Sequence, residues 1–128
     1  MYTDGASLGN PGRAGIGVII YSSDKSLIKK VGKFIGTATN NVAEYVALIY
    51  GLQEALGLNV REVECFLDSE LLVRQLKGVY KVRDSKLVLF YNQVKHLQSL
   101  FKKIDFHHIG REKNSQADKL AKEAAKRG

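Results

Sequence analysis

Four acidic residues, Asp4, Glu44, Asp68 and Asp118, stand where predicted strands end or predicted helices begin. Asp4 follows an apolar start in "YTDGASLGNPGRAGIG", and Asp68 follows the apolar stretch "VECFL". Glu44 and Asp118 fall in the first turns of two predicted helices, "NVAE" and "SQAD". Converging carboxylates repel one another and raise each other's pKa unless a cation neutralises them. Hard oxygen ligands without His or Cys suit Mg²⁺ or Mn²⁺. Two such ions about 4 Å apart are the usual apparatus for in-line attack on a phosphodiester.

Each acid also has a structural explanation. "NVAE" and "SQAD" resemble capping boxes, in which an acid reaches back to free amides, and Asp68 could cap a helix starting at 69. The run after Asp4 is rich in turn formers, because Gly accepts positive φ, Pro fixes φ and Asn bonds its own backbone. All four explanations would have to coincide in a chain of net charge +7, with 20 Lys and Arg against 13 Asp and Glu. That balance, with a pI near 9.5, points to a polyanionic partner, although solubility alone would account for it too.

Other chemistries are excluded by composition. One Cys and three scattered His cannot build a zinc site at any familiar spacing, and Cys65 can form no internal disulfide. It reads as a buried, inert thiol in a reduced, cytoplasmic protein. No stretch approaches the roughly 18 apolar residues of a membrane span, and no basic-then-apolar signal segment opens the chain. The 128 residues predict a single domain, 1–128, with one ordinary core.

The elements that must position the acids follow from periodicity. "AGIGVIIYS" (14–22) and "SLIKKVGKFI" (26–35), split by the turn "SDK", predict an antiparallel hairpin. Val42, Tyr45, Val46, Ile49, Leu52 and Leu56 recur at three and four, one face of a helix over 42–56 with Gly57 as its C-cap. A buried strand at 62–68 and a short helix at 69–78, N-capped by Ser69, come next. A helix from about Lys86 to Lys102 carries Leu87, Phe90, Val94, Leu97 and Phe101 on one stripe. "IDFHHI" (104–109) alternates as a strand, so His107 and His108 read as sheet residues. A last helix starts at Asn114 or Ser115, with Ala117, Leu120, Ala121 and Ala124 inward. An antiparallel start followed by βαβ crossovers implies a mixed sheet with helices on its faces. If Asp4 ends the first strand, only Met1, Tyr2 and Thr3 precede it, fewer than the usual five or six. Either residues before Met1 complete that strand or its boundary lies beyond Asp4. If the strands ending at Asp4 and Asp68 are parallel neighbours, their C-terminal ends share the sheet edge where α/β folds place ligands.

"YTDGASLGNPG", "TNNVAEYVAL", "FLDSELLVRQL" and "NSQADKLAKEAA", in this order and spacing, resemble the four acidic blocks of type 1 ribonuclease H, over essentially the whole chain. The resemblance implies an α/β fold: a five-stranded mixed sheet of order 3-2-1-4-5 with helices on both faces. It implies two Mg²⁺ (or Mn²⁺) ions held by Asp4, Glu44, Asp68 and Asp118, with Asp4 bridging them. The implied partner is an RNA–DNA hybrid, whose RNA strand a monomeric enzyme would cut to 5′-phosphate and 3′-hydroxyl ends. Asn10 and Asn40 match residues that contact the hybrid's minor groove, and Thr39 and Asn40 match positions holding a DNA-strand phosphate. Amide side chains can both donate to and accept from the 2′-OH that distinguishes RNA. The glycine-rich run would then let backbone approach the groove closely.

Three departures qualify the likeness. Where many relatives carry a His before the last acid, this chain has Arg111, which cannot act as a general base but could hold a phosphate. Glu70 stands where relatives often have Gln, and a carboxylate cannot donate to a base or sugar. The basic helix that some relatives insert after "RQL" is missing, leaving Lys77, Lys81, Arg83 and Lys86 near Tyr80 as a smaller basic patch. With no hybrid-binding domain before Asp4, affinity is expected to be modest and salt-dependent. Alternative readings are a nuclease acting also on double-stranded RNA, a detached ribonuclease domain of a reverse transcriptase, or a catalytically silent hybrid-binding module.

Overall fold

Tyr2–Ser7 (β1) runs antiparallel to Gly12–Tyr21 (β2), which turns back into Leu27–Ala38 (β3). The helix Asn40–Gly57 (α1) crosses to Glu62–Leu67 (β4), parallel to β1 on its other side. Two helices, Glu70–Leu76 (α2) and Ser85–Gln98 (α3), lead to Lys103–His108 (β5), parallel to β4. A single 3₁₀ turn, Arg111–Lys113, precedes the last helix, Ser115–Arg127 (α4). This computed structural model describes all of residues 1–128, and its sheet order is β3-β2-β1-β4-β5, as expected from the resemblance.

One face of the sheet carries α1 to α3 and the main core. Val18, Ile20, Leu48, Leu52, Cys65, Leu67, Leu72, Val94 and Phe106 interlock there. Cys65 is fully enclosed, and burial pushes its thiol up to about 12, so it is inert as expected. The predicted apolar stripe of α1 is too narrow. Ala43, Ala47 and Leu48 are also buried, because the helix lies between the sheet and α3 and has little solvent face. On the other face α4 packs through Ala117, Ala121, Ala124 and Ala125 across β1, β2 and β3.

Several boundaries differ from the sequence reading, each for a local reason. β1 does not end at Asp4: it continues to Ser7 because Gly5, Ala6 and Ser7 pair with Ile16, Gly15 and Ala14. That resolves the short-strand anomaly within the chain itself, and it places Asp4 mid-strand. β2 accordingly begins at Gly12. Thr39 N-caps α1, its hydroxyl accepting from the Val42 amide at 3.2 Å; such a cap contributes about 1 kcal/mol. Gly57 remains helical, and Asn59 takes the left-handed conformation instead (φ 62°). Asp84 caps α3 at its start, and the helix stops at Gln98, so Phe101 reaches the core from the following turn. Ser69 caps α2 as expected.

Two glycines of the run that starts after Asp4, Gly5 and Gly17, serve the packing of helices on the sheet. A Cβ on Gly5 would stand 2.2 Å from the Ala43 carbonyl carbon, so its absence lets α1 lie directly on β1. Across the strand pair, Gly17 lies opposite Asp4, and a Cβ there would stand 2.1 Å from the Ala117 carbonyl oxygen. The helix that carries Glu44 is therefore drawn against β1, which carries Asp4, and the helix that carries Asp118 against its partner β2. Gly17→Ala is expected to lower thermal stability by about 1–3 kcal/mol, the usual range for overpacking. Gly57→Ala, with nothing within 4 Å of the added methyl, should be neutral or slightly stabilising. Equal melting temperatures for the two variants would show that α4 does not depend on this contact.

Candidate active site

Register alone brings two of the acids together. Tyr2 pairs with Phe66 in parallel, so Asp4 and Asp68, each two residues further on, lie level at the same sheet edge. Glu44 is the fifth residue of α1, too far along to reach back to the helix's free amides. Its Oε1 instead accepts from the Gly5 amide at 3.0 Å, which excludes the capping-box explanation and ties α1 to the residue after Asp4. One oxygen each from Asp4, Glu44 and Asp68 lie within 4.8 Å of one another. Asp4 is 4% exposed and Glu44 8%.

The electrostatics follow from that crowding. Burial, with the carboxylates of Glu44, Asp68 and Asp118 alongside, holds Asp4 far above the ordinary carboxylate range. Burial also pushes Glu44 up, to about 7, against the pull of the Gly5 amide and of the Arg111 charge. Glu44 Oε2 is buried with no hydrogen-bond partner, a vacant acceptor beside two further carboxylates. An all-oxygen, anionic donor set with an unmatched lone pair fits a hard divalent cation such as Mg²⁺ or Mn²⁺.

Asp118 stands next to this trio and outside its 4.8 Å grouping, half-buried and paired with Lys122 at 3.0 Å. Asn114, read from sequence only as a helix start, is the residue that sequence reasoning missed. It is 2% exposed, and its amide nitrogen donates to the Thr3 carbonyl and to Asp68 Oδ2, each at 2.9 Å. A polar residue four positions before Asp118 was its only sequence signal.

The expected substrate residues are mostly exposed. Asn40 Oδ1 accepts from the Ser7 amide and Asn10 Oδ1 accepts from the Asn40 amide, both at 3.0 Å. Both amide NH₂ groups are left on an exposed surface. Thr39 is engaged in its cap. Arg111 is exposed on the 3₁₀ turn, near enough for its charge to act on Glu44. Glu70 is held by Arg74 at 2.8 Å, and the Arg74 guanidinium lies 5.4 Å from the Tyr80 ring centre. Lys77, Lys81, Arg83 and Lys86 are exposed. His107 stacks on Phe66 and meets Glu64 at 3.3 Å, while His108 is exposed at the strand's end, so both are sheet residues.

Comparison with known proteins decides the family. A family model described as "Reverse transcriptase-like" matches residues 2–124. The ribonuclease HI of Halobacterium salinarum is 39% identical over 123 residues, 96% of this chain and 62% of that protein. Its crystal structure superposes with a TM-score of 0.97, covering 99% of this chain and 96% of that one. The chain belongs to the ribonuclease H family. A bifunctional protein of Mycobacterium tuberculosis is 43% identical over 122 residues, 94% of this chain. This ribonuclease H chain spans only 34% of that relative's length. LC11-RNase H1, solved in complex with an RNA/DNA hybrid, is 42% identical with a TM-score of 0.93, covering 98% of this chain and 95% of that one.

The crowded acids predict a stability effect without any substrate. A carboxyl whose folded pKa is raised binds more protons folded than unfolded, so metal-free stability falls as pH rises from about 4 through the folded titration. Asp4→Asn removes that charge and is expected to stabilise the metal-free protein by about 1 kcal/mol near pH 7. Its advantage over wild type should grow between pH 5 and 8 and shrink when Mg²⁺ is added, since ions favour the wild-type fold. Thermal melts in EDTA and in Mg²⁺ check this; a lower melting temperature for Asp4→Asn in EDTA contradicts a strained cluster.

Proposed function

We propose that this ribonuclease H chain hydrolyses the RNA strand of RNA–DNA hybrids, with divalent-cation assistance, inside the reducing cytoplasm. The observation that carries the reading is the trio Asp4, Glu44 and Asp68, gathered within 4.8 Å in a chain of net charge +7. A binding module without catalysis has no use for three crowded acids on a surface that must meet phosphates. The complex of LC11-RNase H1 with an RNA/DNA hybrid supports the substrate class.

Asp4, Glu44, Asp68 and Asp118 would hold two Mg²⁺ or Mn²⁺ ions, which when bound supply an activated water and offset the phosphate's charge. The chain's other residues do the binding and aligning. Asn10 and Asn40 offer amide donors whose oxygens are already fixed, so their NH₂ groups face the minor groove in one orientation. The hydroxyl of Thr39 and the N-terminus of α1 meet a phosphate of the DNA strand. Arg111 holds a phosphate near Glu44, and Lys81 and Arg83 meet the backbone further out. Glu70, neutralised by Arg74, accepts a hydrogen bond and donates none. In the reaction the water oxygen bonds to phosphorus as the bond from phosphorus to the 3′-oxygen breaks. The departing oxygen takes up a proton, leaving 5′-phosphate and 3′-hydroxyl ends.

Labelled hybrid, duplex RNA and single-stranded RNA, incubated with Mg²⁺ or Mn²⁺, test the reading directly. Hybrid is expected to be cut, and Asp4→Asn, Glu44→Gln and Asp68→Asn to abolish turnover while retaining hybrid binding. Cleavage undiminished by EDTA would sink the cation-dependent reading, and equal cleavage of duplex RNA would widen the substrate class. The exposed basic residues make a separate prediction. The logarithm of affinity should fall with the logarithm of salt concentration, with a slope of roughly −0.7 to −0.9 per neutralised phosphate. Lys81→Ala with Arg83→Ala should flatten that slope without altering turnover at saturation; an unchanged slope places the footprint elsewhere.

A further inference from the structure

The side chain of Asn114 is spent on neither solvent nor its own helix. Its side chain makes no capping bond to α4, although it occupies the N-cap position. Both amide protons go elsewhere, to the Thr3 carbonyl and to Asp68 Oδ2. The chemistry fixes which way the amide points. Turned over, its oxygen would face a carbonyl and a carboxylate, two acceptors with no proton between them. The price of the observed orientation is Oδ1, buried with no partner. A buried acceptor left unmatched costs about 1–3 kcal/mol, so a residue serving only to start a helix has no reason to be enclosed this way.

Its three attachments reach three of the acids. The Thr3 carbonyl is the peptide group that joins directly to Asp4. Asp68 is bonded through its own carboxylate. The Asn114 carbonyl accepts the Asp118 amide at 3.0 Å, closing the first turn of α4. We propose that Asn114 is a positioning residue: its amide sets the Asp68 carboxylate in the orientation that receives a divalent cation and locks it to the strand that carries Asp4. This rests on the metal-dependent reading above. A carboxylate has room for about four acceptor contacts, so one bond from Asn114 orients Asp68 and leaves it free to bind a cation. Outer hydrogen bonds of this kind typically change metal affinity by 10–100-fold.

The test uses the full chain and the metal alone. Asn114→Leu keeps the approximate size but removes the donor facing Asp68; Asn114→Ala removes the side chain altogether. In both, Mn²⁺ affinity by calorimetry is expected to fall at least tenfold. The Mg²⁺ concentration for half-maximal cleavage should rise by a similar factor, with KM for hybrid at saturating metal within twofold of wild type. A purely structural role would lower the melting temperature and leave metal affinity within twofold, and that result overturns the proposal. If neither variant folds, wild-type NMR decides: the Asn114 side-chain NH₂ signals should shift on adding Mg²⁺, and not in Asp68→Asn. Signals unmoved at saturating Mg²⁺ overturn the proposal as well. Wild type and Asp68→Asn separate the two levels. If the wild type cuts no hybrid in Mg²⁺ or Mn²⁺, the proposed function itself fails; if the wild type cuts and Asp68→Asn loses Mn²⁺ affinity and cleavage while the Asn114 variants keep both, only the role of Asn114 fails.

Discussion

Holding three carboxylates within 4.8 Å, two of them buried, is the constraint around which this fold is arranged. Left alone, like charges at that separation would separate or take up protons. The protein prevents the first by fixing each acid to a rigid element. Asp4 lies within a paired strand, Glu44 is bonded to the Gly5 amide, and Asp68 is bonded to Asn114. The second remains as the raised pKa of Asp4 and Glu44, a standing drive toward any cation that can replace the protons.

That rigidity depends on how closely helices approach the sheet. α1 and α4 press on β1 and β2 from opposite faces, and Gly5 and Gly17 are the points where no side chain intervenes. Alanines line the facing side of α4 for the same reason, since larger side chains would lift the helix and Asp118 with it. Packing and chemistry are thus one problem here. The small residues that look permissive in sequence determine where the acids stand.

Charge is distributed in two zones. Three acids converge at the sheet edge, while Lys77, Lys81, Arg83, Lys86 and Arg111 are exposed to solvent. Under the proposed function, exposed basic side chains would attract an anionic backbone, and cations at the acids would reverse the local sign there. Pairing is sparing: Glu70 engages Arg74 and Asp118 engages Lys122, and neither pair neutralises the basic connection.

Element types and order were legible in the residues, because a 3.6-residue or two-residue apolar period reports directly which face meets a core. The inert Cys65 and the two sheet histidines were legible too, while the sheet order and the set of four acids rested on the block resemblance. Boundaries were less legible. Turn formers after Asp4 hid a strand that runs to Ser7, since pairing with β2 outweighs local preference when the partner strand is already in place. The roles of individual atoms were not legible at all. "NVAE" satisfies the local pattern of a capping box, yet Glu44 bonds to a strand 39 residues away. Asn114 passes for an ordinary helix start, yet its bonds reach back to Thr3 and Asp68. Sequence by itself determined which residues could bind a cation and in what kind of fold. Only tertiary structure decided which atoms meet, because those contacts join residues far apart in the chain through register and close packing, neither of which leaves a local pattern.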